Sequence, residues 1–106
     1  EKKNEFTALV CSNDRLAIGA LEALKAHGLK CPEEISVTGF NNLPYLRMTL
    51  PSLTTINIQK FDVGKVSAEL LLKSLNSPEA IIPSCTILPV NLVERSSVQK
   101  AQPNKS

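Results

Sequence analysis

The chain has 106 residues, enough for one small domain or for part of a larger one. Its apolar fraction of 42% is that of an ordinary globular protein, and its net charge of +2 comes from scattered basic residues. That pattern excludes a dedicated polybasic nucleic-acid surface within these residues.

The charged start, Glu1-Lys2-Lys3-Asn4-Glu5, reads as a surface turn entering a strand. Residues 7–11 form a short apolar run, too brief for a helix, and are predicted as a buried strand. A helix is predicted over residues 14–27, capped by Ser12 or Asn13 and stopped by Gly28 in the left-handed region. Lys25 and His27 fall in its last turn, where positive charge suits the helix dipole. Its polar stripe is narrow, Arg15, Glu22 and Lys25, and the apolar arc far exceeds the roughly 100° needed to cover a sheet. A partner packing on this helix is therefore expected.

Cys31-Pro32-Glu33-Glu34 is a turn, and residues 35–40 are the next strand, ending in Asn41-Asn42. Residues 45–50 carry no decisive pattern. Residues 53–58 alternate with β-branched side chains and are predicted as a strand. A second helix follows over residues 60–75, with Val63, Val66, Leu70 and Leu71 near one face. Gly64 within it costs roughly 1 kcal/mol relative to alanine, which suggests tight packing on a neighbour. Residues 87–93 are a last strand, and residues 99–106 are expected to be a disordered tail.

Strands alternating with helices predict an α/β fold with a largely parallel sheet and helices on both faces. Two helices are too few to cover both faces, so further elements before Glu1, or supplied by a partner, are expected.

The chemistry points to binding. Strands that finish in polar tips on one edge of a parallel sheet make the wall of a ligand crevice. Asn13 begins a helix beyond a strand's carboxyl end, and Asn41 follows the next strand. Side-chain amides both donate and accept, as a polyol requires. Each also has a purely structural role available, Asn13 as a helix cap and Asn41 as a turn residue. Asp14 opens the helix and complements its dipole; Asn42 reads as a turn residue. His27 is a dipole partner at a helix end, Cys11 an inert buried thiol, and Arg95 with Glu94 a structural or solvated pair. There is no catalytic pair of carboxylates, no metal-ligand spacing and no glycine-rich phosphate loop, so neither an enzyme, a metal nor a cofactor is expected.

The three cysteines, Cys11, Cys31 and Cys85, cannot all pair with one another, and none lies in a Cys-x-x-Cys motif. A reducing, cytoplasmic setting follows as the expectation. No apolar run has the length of a bilayer span.

Several stretches together resemble the C-terminal part of lactose/galactose-repressor-type (LacI/GalR) transcription regulators. They are Ser12-Asn13-Asp14-Arg15-Leu16-Ala17-Ile18-Gly19-Ala20; residues 28–40, which include Cys31-Pro32-Glu33-Glu34-Ile35-Ser36-Val37; Pro51-Ser52-Leu53-Thr54-Thr55-Ile56; Gly64 with its helix; and Leu92-Val93-Glu94-Arg95-Ser96-Ser97. The resemblance implies a periplasmic-binding-protein-like type I module of two α/β lobes with a sugar-sized effector between them. Residues 1–98 would be the C-terminal part of that module, with 6–50 and 87–93 in the C-terminal lobe and 53–75 in the N-terminal lobe. The DNA-binding headpiece is absent from these residues.

The same resemblance implies ligand contact by Asn13 and by Asn41, the latter standing where many relatives carry an aspartate. Asparagine there suits a polyol and would not neutralise a cation. A homodimer is implied through the first helix and the loop after Asn42, with Leu16, Ile18 and Leu21 as contacts. Operator DNA would be bound through the headpiece, and no membrane is involved. The function expected is the effector-sensing part of a DNA-binding regulator, with a solute-binding protein for sugar uptake as the alternative on the same fold.

Overall fold

The computed structural model describes residues 5–101. The first four residues of the expected entry turn, and the part of the expected tail at 102–106, lie outside the described residues. The chain divides into two compact units, Glu1–Asn57 with Asn91–Ser106, and Ile58–Val90.

In the first unit, β1 (Ala8–Val10) and β2 (Ser36–Thr38) run parallel, with Leu9 opposite Val37. Bridges from Thr38 to Thr54 and from Asn41 to Asn57 extend the parallel run into β3 (Thr55–Ile58). Helix α1 (Asp14–Ala26) connects β1 to β2 and packs on β2. Strand alternation sends Leu9 and Val37 to the helix side, where Ala17, Leu21, Leu24, Ile35, Leu46 and Leu53 complete the core. The strands are shorter than the apolar runs because backbone groups just beyond them bond elsewhere: the Gly39 N–H donates to Thr54, and the Phe40 carbonyl accepts from Asp14.

α1 starts where predicted. Asn13 is extended, at φ −154°, and its side-chain oxygen accepts from the Leu16 N–H at 2.9 Å. At the other end His27 Nδ1 donates to the Ala23 carbonyl at 2.9 Å and Gly28 sits at φ 71°, as a left-handed stop requires. The buried stripe is Asp14, Ala17, Leu21 and Leu24, one helical face at spacings of three and four. Leu21, expected as a partner contact, is 7% exposed and belongs to the core cluster. Leu16 remains 56% exposed and Ile18 is half-buried against the core.

The opposite face of the β1–β2 pair is open at β1. Ala8 is exposed and Val10 is 84% exposed. The undecided stretch at 45–50 contains a short 3-10 helix, Leu46–Met48, which drives Leu46 fully into the core. Gln99, expected to begin the tail, is instead held: its N–H donates to Ser36 Oγ and its side chain to the Glu33 carbonyl.

The second unit holds α2 (Lys60–Asn76), the last residue of β3 and the first of β4 (Val90–Val93). β3 and β4 pair in a two-stranded sheet. The unit boundaries differ from the expected lobe segments. Residues 53–57 lie with the first unit, since Leu53, Thr54 and Thr55 are buried in its core. Residues 87–90 lie with the second, and strand structure there begins only at Val90. Pro89 lacks the N–H that a longer strand would need. No residue of α2 is buried, and Val63, Val66 and Leu70 line a shallow hollow with Pro83 and Leu88. Gly64 is not a packing glycine: a methyl group there would meet open space.

Candidate functional site

The carboxyl ends of β1 and β2 meet at one corner, and its geometry is set by the backbone. The Asp14 N–H donates to the Phe40 carbonyl at 3.1 Å. The peptide after Asn13 is therefore bonded to the peptide before Asn41, and both asparagines sit at the same sheet edge, each at least partly accessible. The Asn41 N–H donates to the Ile56 carbonyl at 2.9 Å, which anchors the turn to the third parallel run.

Asn41 and Asn42 have φ of 116° and 59°. Asparagine is among the few non-glycine residues that take positive φ without large cost. The structure thus gives each predicted asparagine a structural job. Asn13 caps α1 with its oxygen, and its NH2 has no partner among the described residues, while Asn41 turns the chain. A hollow of about 360 Å³ opens beside the corner, lined by Ser12, Phe40, Cys11, Thr55, Ile56 and Leu92, with neither Asn13 nor Asn41 among its walls.

Asp14 does more than complement a dipole. It is 1% exposed, its Oδ1 accepts from Thr55 Oγ1 at 2.6 Å, and its Oδ2 accepts from the Leu43 N–H at 2.9 Å. It braces the Asn41–Asn42 turn from beneath, joining helix, turn and β3. Gly39 is required below it, since a methyl group on Gly39 would overlap the Asp14 carboxylate and touch Leu53.

Sequence reasoning missed a second brace. Arg95 Nη1 donates to the Leu53 carbonyl at 2.8 Å and Nη2 to Asn42 Oδ1 at 2.9 Å. The expected pairing of Arg95 with Glu94 is replaced by these fixed bonds to Leu53 and to the Asn41–Asn42 turn. Asn42 Nδ2 then donates to Asn57 Oδ1 at 3.1 Å, and Asn57 Nδ2 to Asn91 Oδ1 at 3.2 Å. Nothing in the spacing of these residues announces that they meet.

Ser97 is a third hidden element. It is fully buried; its Oγ donates to the Val37 carbonyl and accepts from the Thr54 N–H, and its own carbonyl accepts from Val37 N–H. Cys31 Sγ also donates to that carbonyl at 3.4 Å. Cys11 and Cys31 are half-buried free thiols, and burial pushes the pKa of each above the ordinary value. Among the described residues, no group of three or more His, Cys, Asp or Glu side chains is assembled to hold a metal, and no helix is long and apolar enough to cross a membrane.

Residues 2–98 match the model of the periplasmic binding protein-like domain. The chain is 36% identical over 98 residues to the HTH-type transcriptional regulator RegA of Clostridium acetobutylicum, covering 91% of this chain and 28% of that protein. A LacI family transcriptional regulator from Enterococcus faecalis V583, solved with bound ribose, superposes with a TM-score of 0.82 at 36% identity over 91% of this chain and 36% of that one. The lac repressor dimer bound to operator and the anti-inducer ONPF superposes with a TM-score of 0.79 at 34% identity, over 87% of this chain and 32% of that one. The chain therefore spans little more than a quarter of the curated regulator's length.

Proposed function

Since the chain belongs to the periplasmic binding protein-like domain family, we propose that it forms the C-terminal part of the effector-sensing module of a LacI/GalR-type transcription regulator. The observation that carries this reading is the bonded pair of peptides at Asp14 and Phe40, which gathers Asn13 and Asn41 at one sheet edge. Strong similarity to regulators solved with ribose or with operator supports it. The effector is a small polyol, a sugar by its chemistry. Asn13 offers its amide NH2 and Asn41 both a donor and an acceptor. A carboxylate at either position would only accept.

In this reading the effector favours one arrangement of the module over another, by its differential affinity for the two. Leu16, exposed on α1, and the half-buried Ile18 contribute to a contact with a second copy. Operator DNA is held by a headpiece outside these residues, in the cytoplasm. Relatives that regulate transcription support this over a sugar-uptake solute-binding protein.

The test is calorimetric titration of the full-length protein with D-ribose and a panel of other pentoses and hexoses, repeated with Asn41→Gly. Glycine removes the side chain while keeping the turn. Binding of at least one sugar, weakened about tenfold or more in the variant, is expected; that factor is the worth of one lost hydrogen bond to a buried partner. Equal affinity in both proteins removes Asn41 from the site, and no response to any sugar removes the polyol reading.

A further inference from the structure

The side chains of Arg95, Asn42, Asn57 and Asn91 form a continuous hydrogen-bonded ladder with donor-to-acceptor distances of 2.9, 3.1 and 3.2 Å. Its direction is fixed from one end. A guanidinium only donates, so Asn42 must turn its oxygen to Arg95 and its NH2 to Asn57. Asn57 must then offer its oxygen to Asn42 and its NH2 to Asn91. An arginine at one end thus dictates the orientation of each amide that follows.

The rungs stand at particular places. Arg95 is itself immobilised, bonded through its N–H to Thr54 Oγ1 at 2.9 Å and through Nη1 to the Leu53 carbonyl. Asn42 belongs to the turn that carries Asn41. Asn57 is the last residue of the first unit before the chain leaves it, and Asn91 is the first residue after it returns. The final rung therefore ties together the outgoing and returning strands where the chain changes units. Both strands are also short, so side-chain bonds weigh heavily against few backbone ones.

We infer that Arg95, Asn42, Asn57 and Asn91 act as one positioning unit that couples the Asn41–Asn42 turn to the strands on which the chain passes between its two compact units. A disturbance of the turn is felt at Asn91, and loosening Asn91 is felt at the turn, because a rung that loses its partner frees the next amide to rotate. Under the proposed function, which supplies only the biological meaning, this makes effector contact at the turn detectable at the crossing.

The test is amide hydrogen exchange on the full-length protein without any sugar. Asn42→Gly deletes two rungs and tolerates the positive φ at that position. It is expected to speed exchange in residues 90–93 about tenfold, the factor corresponding to one lost hydrogen bond. Exchange in α1 should stay unchanged, which shows that the unit remains folded. In an Asn57→Leu background the same substitution should add less than about twofold, since the ladder is already cut. Reciprocally, Asn91→Leu, at an exposed position, should speed exchange of residues 41–43. Unchanged exchange at the far end in either single variant, or an effect of Asn42→Gly that survives Asn57→Leu, overturns the inference. None of these outcomes depends on which sugar binds, and a failed sugar titration leaves the ladder standing.

Discussion

The Asp14 N–H donates to the carbonyl of Phe40 across 3.1 Å, and this backbone bond, not any contact between side chains, brings Asn13 and Asn41 to one edge. The separation of the two amides is therefore insensitive to what either side chain does. Replacing Asn41 tests side-chain chemistry cleanly only when the replacement accepts φ of 116°. Glycine does, and alanine does not. Asn41→Gly is expected to be the more stable of the two variants by about 1 kcal/mol or more, read from the urea midpoint of each. Equal midpoints would mean that the turn relaxes.

Asp14 is a hub with two acceptors and two donors aimed at them. Asn in its place must turn an NH2 toward either the Thr55 hydroxyl or the Leu43 N–H. The hydroxyl can rotate to accept, but it loses a charged acceptor; the N–H cannot. Asp14→Asn is expected to cost about 1.5–3 kcal/mol in denaturant unfolding, the range for hydrogen bonds to a buried charged group.

Gly39→Ala attacks the same place from below. The added methyl group would overlap Asp14, which is held on both oxygens and cannot swing away. A loss of about 1–3 kcal/mol is expected, the usual cost of overpacking. The double variant with Asp14→Ala should recover part of that loss, because alanine vacates the space. Strict additivity of the two costs would show that they do not share a site.

Ser97→Ala removes a hydroxyl that joins β2 to the start of β3. The Thr54 N–H then loses its acceptor and the Val37 carbonyl its donor, both in a fully buried setting. The expected loss is about 1–3 kcal/mol, with faster amide exchange at Thr54 than at Leu9. Ser97→Thr keeps the hydroxyl and tests the tightness of the space around it.

The sequence carried the elements better than it carried the joints. α1 was legible from its cap at Asn13 to its stop at Gly28, because those signals are local. The parallel pairing of β1 and β2 was legible because a helix between two apolar runs allows little else. That Leu21 lies in the core was not legible, because apolar periodicity counts apolar positions without saying which side of a wide arc meets the sheet. The ladder through Asn42, Asn57, Asn91 and Arg95 was invisible, since its members lie up to 53 residues apart and each is an ordinary turn or strand residue alone. Asp14 was read as a dipole partner because its actual donors, Thr55 and Leu43, reach it only through the fold.

α2 bears on the behaviour of these residues in isolation. None of its side chains is buried, and Phe61, Leu71, Leu72 and Leu75 are 56–81% exposed. With the open Val10 face at β1, this leaves more apolar surface in water than a stable monomer commonly presents. The 106-residue chain alone is expected to bind a hydrophobic dye and to associate as its concentration rises, and the full-length protein not to bind the dye. A monomeric elution volume with no dye signal from the isolated chain would refute this.

The thiols give a prediction in pH. Cys85 is exposed, while Cys11 and Cys31 are half-buried with pKa values raised by burial. At Cys31 the charge of Glu33 adds to the rise and a backbone hydrogen bond from Val37 opposes it. The thiolate is the reacting form. Maleimide or iodoacetamide should therefore modify Cys85 first near neutral pH, and Cys11 and Cys31 only as the pH climbs past the ordinary thiol range. The same shifts act on stability. Keeping these thiols neutral in the folded state stabilises it fully below the ordinary thiol pKa, and that contribution is lost as pH rises through the higher folded values. Labelling rates followed site by site by mass spectrometry check the order; equal rates at all three cysteines in the folded protein would contradict the burial of Cys11 and Cys31, and urea should abolish the difference.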